Sequence, residues 1–188
     1  MSSAYYMPRY LKQKFPEIER SASYSEDGSK EYTLNGQTVY ATTAYADSSF
    51  FDMFSFQLSE ADKEAWKSGT DRVLLSESFA KANFPGTDPL GQILLRYGRE
   101  LTVAGTYKDI DNSVIKPTDI IVRGEQMEEE NRSNSSSMNN AAASICFVMT
   151  YQGTDFKAKE GDILDFYKEI FWPYRNNGIW DTVEVVPL

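Results

Sequence analysis

Apolar side chains recur near helical spacing at Met7, Tyr10, Leu11 and Phe15, and the run breaks at Pro16. This predicts a short opening helix with Pro8 in its first turn, where a missing N–H has no intrahelical partner to lose. From Ile18 to Tyr24 and from Glu31 to Tyr45 β-branched and aromatic residues take over. Asp27-Gly28 and Asn35-Gly36 supply turn chemistry between and within these runs, which predicts a β-hairpin or meander. Asp47-Ser48-Ser49 offers caps for a helical turn over Phe50–Phe54, and a polar stretch, Ser59–Thr70, follows.

Val73-Leu74-Leu75 reads as a short buried strand, with Ser76 as the N-cap of a helix through Ala82. Asp88-Pro89-Leu90-Gly91 is a turn, and Ile93–Arg96 with Glu100–Tyr107 makes a hairpin around Tyr97-Gly98-Arg99. Ile120–Val122 is a further strand. Gly124–Asn140 is rich in Ser, Asn and Glu without apolar periodicity, so it cannot offset its ordering entropy and is expected to be a flexible loop. The chain then restarts with a strand at Ser144–Tyr151 and a helix at about Asp155–Phe171, ended by Pro173. An alternating closing strand is expected at Asp181–Val186. The pattern implies an α+β class, with mixed or antiparallel sheets, packed helices, and the last strand-helix-strand unit beside the first.

At 188 residues the chain fits one domain or two small subdomains. Nineteen Lys and Arg against 28 Asp and Glu give a net charge of −9, a field that repels phosphate backbones and anionic lipid headgroups and argues against a nucleic-acid partner. No apolar run reaches the roughly 18 residues a membrane helix needs, and the opening lacks a signal peptide's h-region, so any anchor is expected outside the sequence. With no His and one Cys, the chain offers no Ser-His-Asp or Cys-His pair and no zinc ligand set. Gly105 has no phosphate-binding glycine loop around it. No catalytic residue, metal ligand or cofactor site is therefore assigned, and Cys146 reads as a buried small hydrophobe. The late aromatics Phe166, Tyr167, Phe171, Trp172, Tyr174 and Trp180 are the candidate partner surface, or else core.

Five blocks resemble one family in order and spacing. Phe15-Pro16-Glu17-Ile18 is similar to an "FPEV" opening, and Phe50–Phe56 to "FFDMFSF". Val73–Lys81 is similar to "VLSESLAKKLF", Asp88–Gln92 to "DPLGK", and Leu101–Asp109 with Asn112-Ser113 to "YTVVGVVKDxPxNS". In this order they resemble the motifs of the MacB-like periplasmic core domain of ABC-transporter permeases, and the resemblance covers residues 15 to 115. The resemblance implies a porter-like subdomain plus a second α/β unit, with Phe50, Pro89 and Gly105 as scaffold. It implies a parent with membrane helices flanking this domain, a second permease copy and a cytoplasmic ATPase subunit, in the inner membrane of a Gram-negative bacterium. The implied role is non-catalytic, coupling ATP hydrolysis to export or extraction of substrate on the periplasmic side. The alternative is a free-standing periplasmic or surface ligand-binding module. For an insertion between membrane helices, the opening helix and the closing segment are expected on one side of the domain.

Overall fold

The computed structural model describes residues 4–54, 56–111, 113–127, 144–175, 178 and 180–188. Helix α1 (Met7–Lys14) has Pro8 in its first turn and buries Met7, Pro8 and Leu11. Strand β1 (Ile18–Leu34) runs 17 residues without interruption, so the two predicted early runs are one strand. Asp27-Gly28 is a bulge in it rather than a turn: the register against β2 (Gln37–Ala46) slips between Glu26 and Gly28, and Gly28 takes a φ of 70°. Asn35 and Gly36, at φ 50° and 77°, make the two-residue hairpin turn whose twist matches its strands.

Helix α2 (Phe50–Met53) is a single turn. Its cap is Asp47 rather than Ser49: Asp47 Oδ1 accepts from Ser49 N–H at 2.9 Å, while Asp47 Oδ2 accepts from Ser23 N–H at 2.7 Å. The polar stretch Ser59–Thr70 contains a helix the pattern did not predict, α3 (Glu60–Lys67), with the Ser59 hydroxyl accepting from Asp62 N–H. Its one large apolar residue, Trp66, is fully buried, and the rest of its stability comes from the cap and from Lys63–Glu60 and Lys67–Asp52 pairs. Strand β3 (Arg72–Ser76) leads through the Ser76 cap into α4 (Glu77–Asn83). Strands β4 (Ile93–Arg96) and β5 (Arg99–Tyr107) form the predicted hairpin, followed by β6 (Ile120–Arg123), β7 (Ser144–Thr150) and α5 (Glu160–Ile170). The region Asp181–Val186 carries no strand pairing, a correction to the predicted closing strand. The described start of the expected flexible loop departs from that expectation, since residues 125–127 are helical and Gln126 and Met127 are buried, Met127 against the first core cluster; residues 128–140 lie outside the described residues.

One seven-stranded mixed sheet, ordered β2-β6-β3-β5-β4-β1-β7, holds strands from both halves of the chain. Because β1 also pairs with β2, six of the strands close a ring, and the closure between β1 and β4 rests on one residue pair, Thr33 with Leu95. Alternation sends Val73, Leu75, Leu101, Val103, Ile120 and Val122 to one face, where Phe79 of α4, Phe84 just past its end and Tyr5 cover them. The opposite face carries Leu74, Ile121 and Ala104 beneath Phe50, Phe51 and Trp66. Gly105 is needed there, because a β carbon would collide with the Asp62 side chain of α3. A third cluster joins α1, α5 and the C-terminal segment.

Candidate functional site

The late aromatics lie in this third cluster. Phe166 and Tyr167 face inward from α5, and Phe171 and Tyr174 follow on a 3₁₀ turn, all four buried. Tyr167 and Tyr174 meet edge-on with centroids 5.1 Å apart, and Trp180 closes on Tyr174 at 5.6 Å. Two hydrogen bonds to main-chain carbonyls fix the arrangement: the Trp180 backbone N–H donates to Pro173 O at 3.0 Å, and the Arg175 side-chain Nε to Glu169 O at 3.0 Å. Trp172 alone of the six is plainly exposed, at 42%, while Trp180 is half-buried. The signal that separates these residues in the sequence is α5's spacing, Ile163–Phe166–Tyr167–Ile170, which is that of a buried face.

Beside this cluster a groove of about 380 Å³ runs between Lys14–Glu17 and the outer face of α5. Its walls mix Lys14 and Lys159 with Glu17, Asp162, Asp165 and Glu169, and Lys159 pairs with Glu17 at 3.3 Å. A second groove of about 340 Å³ lies between α3, α4 and the turn at Thr87–Leu90, with Phe84 and Leu90 among its apolar residues and Asp62, Glu77, Lys81 and Asp88 among its charged ones. Neither has a histidine or a cysteine, and among the described residues no group of side chains could hold a metal ion.

In the first groove a backbone hydrogen bond and the Lys159 ammonium hold the Glu17 carboxyl below its usual range, and Glu17 in turn raises Lys159, as expected of an exposed ion pair; the larger shifts fall on groups away from both grooves. Cys146 is half-buried against the third cluster rather than fully buried as expected, and desolvation of its thiol, with the charge of Asp47, pushes its pKa well up and favours the neutral thiol. Burial also raises the Asp47 carboxyl from its ordinary 3.8 to about 6; the amides of Ser23 and Ser49 lower it, and Glu125 raises it further. Because the folded value lies above the unfolded one, the stability tied to this proton is fully present below about 3.8 and is lost as the pH rises through about 6. At 1.36 kcal/mol per unit the loss is about 3 kcal/mol. In Asp47→Asn the ionisation disappears, although its NH2 then faces one of the two amide donors. Denaturant unfolding at several pH values should show wild type losing stability relative to Asp47→Asn between pH 4 and pH 6, and parallel curves would contradict this.

What the arrangement provides is a packed scaffold with two grooves, in which the described end segments share one apolar cluster. Residues 2–164 match the MacB-like periplasmic core domain, and the chain belongs to that family. Members are extracytoplasmic parts of ABC-transporter permeases, which associate with ATPase subunits. A domain assigned to a permease protein from Porphyromonas gingivalis superposes with a TM-score of 0.74 at 22% identity, covering 90% of this chain and 71% of that one. The periplasmic region of MacB from Actinobacillus actinomycetemcomitans gives 0.64 at 15%, covering 90% and 75%. The extracellular domain of the ABC-type transporter YknZ from Gram-positive bacteria gives 0.67 at 15%, covering 89% and 83%. At these identities the likeness is one of fold. No curated protein sequence matches the chain.

Proposed function

We propose that this domain couples ATP hydrolysis by a cytoplasmic subunit to export or extraction of substrate on the periplasmic side. Its parent is then a permease subunit with membrane helices on both flanks, working beside a second copy in the inner membrane of a Gram-negative bacterium. The observation that carries the reading is the family match, joined to the packing of the ends. Ala4, Met7 and Leu11 from the start of the chain share one apolar cluster with Val183 and Val185 from its close, and Val185 N–H donates to Glu160 Oε1 of α5 at 2.9 Å. Both ends therefore belong to one layer, as an insertion between two membrane helices requires. We read that layer as a second small unit beside the strand ring, within a single domain. A free-standing binding module would use the late aromatics as a ligand site, and it draws less support because four of the six are buried.

The test is the parent gene. Apolar segments of about 20 residues are expected before Met1 and after Leu188, each long enough to span a bilayer. A full-length protein without them would sink the permease reading.

A further inference from the structure

The outward face of α1 is chemically unlike the rest of this acidic protein. The helix reads Met-Pro-Arg-Tyr-Leu-Lys-Gln-Lys; it buries Met7, Pro8 and Leu11 and exposes Arg9, Tyr10, Lys12, Gln13 and Lys14. It carries no acidic residue, and among the described residues none of its three cations forms an ion pair. Lys12 and Lys14 lie in the last turn, where they complement the helix dipole. That does not account for Arg9, which lies in the first turn, three residues before Lys12, and is likewise exposed. Tyr10, 37% exposed, places an aromatic ring with a polar tip among the cations.

We propose that this face of α1 rests on anionic lipid headgroups of the membrane that the parent permease spans. The inference rests on the permease reading for its setting and on α1 for its chemistry. The net charge of −9 opposes such a contact at long range, but screening limits charges to about 8 Å at physiological ionic strength. Within that distance the exposed cations of α1 act before the distant carboxylates do. Asp162, Asp165 and Glu169 share a groove with Lys14, so Arg9 and Lys12 are the more effective pair. The contact is electrostatic, because the apolar side of α1 is already committed to the domain's third cluster. Basic residues at such a surface are worth about fivefold in partitioning each, which makes the face a positioning contact rather than an anchor.

The experiment is flotation of the 188-residue chain with vesicles of equimolar phosphatidylglycerol and phosphatidylcholine, against pure phosphatidylcholine, at low and high salt. Binding is expected only to the anionic vesicles and is expected to fall with salt. Arg9→Gln with Lys12→Gln should weaken it by about 10-fold or more. Lys81→Gln with Lys108→Gln, an exposed pair elsewhere, should leave it unchanged. Circular dichroism melts establish that each variant is folded. Absence of binding to anionic vesicles at low salt overturns the proposal, as does equal loss in the two double variants. The permease reading is decided separately by the parent gene, so flanking spans without vesicle binding would refute this contact alone.

Discussion

Phe50→Ala is expected to be among the most destabilising single substitutions in the domain, at about 3–5 kcal/mol. Phe50 is fully buried on the one-turn helix α2, and five other rings surround it. Tyr24 and Phe56 stack on it with centroids 5.1 and 5.6 Å away, Phe51 meets it edge-on at 5.2 Å, and Phe54 and Phe147 lie at 4.9 and 6.4 Å. These contacts bring β1, the Phe50–Phe56 segment and β7 to one point. A single helical turn has too few internal hydrogen bonds to hold itself, so truncating its central ring removes the reason the segment lies where it does. The loss is a large part of the roughly 5–15 kcal/mol by which domains are stable. Guanidinium unfolding would measure it, with Phe50→Leu expected to cost less than half as much. Trp172→Ala, at an exposed ring, should move the midpoint little. An unchanged midpoint in Phe50→Ala would contradict the packing described.

This residue also illustrates what the sequence makes legible. The run of phenylalanines around Asp52 has too many rings for a surface, and its likeness to a family block pointed to scaffold. Strands at Val73–Leu75, Ile93–Arg96 and Ile120–Val122 were readable because short apolar or alternating runs were bounded by turn residues at both ends. Helix α3 was hidden because its apolar stripe is essentially Trp66, while its stability is spread over a serine cap and exposed ion pairs that leave no periodic mark. The closing strand failed for the opposite reason. Thr182 to Val186 alternates like a strand, yet its half-buried valines pack on α1 and α5 instead of pairing with a neighbouring strand. Alternation reports a two-sided environment and does not say that a second strand supplies one side. The late aromatics divide in the same way: spacing identified a buried face on α5, but only packing shows that Trp172 is left outside.

Asp27-Gly28 carries turn chemistry but forms a bulge in β1, and the second large effect is expected at the residue it faces, Arg96. The bulge sets Asp27 beside a guanidinium that is almost wholly buried, at 1% exposure. Arg96 Nη2 donates to Asp27 Oδ2 at 2.8 Å and to the Tyr45 hydroxyl at 3.0 Å, and Nη1 donates to the Tyr32 hydroxyl at 3.2 Å. Its Cζ lies 5.4 Å from the ring centres of Tyr32 and Tyr45 and 5.2 Å from that of Tyr97. Main-chain pairing closes the ring between β1 and β4 at Thr33 and Leu95 alone, so this side-chain cage from β4 to β1 and β2 carries much of the closure. Arg96→Ala should cost about 3–5 kcal/mol, the range for removing one member of a buried charged network. Arg96→Lys should recover less than half, since an ammonium keeps the charge but not the planar fork or the stacking. Asp27→Asn should cost less than either, because Asp27 is 27% exposed and faces Lys30 at 3.1 Å as well. Hydrogen exchange supplies the decisive measurement: in Arg96→Ala the amides of Ile93–Arg96 should exchange faster than those of β3, which is paired along both edges. If Asp27→Asn instead destabilised as much as Arg96→Ala, the ion pair rather than the tyrosine cage would be what closes the ring.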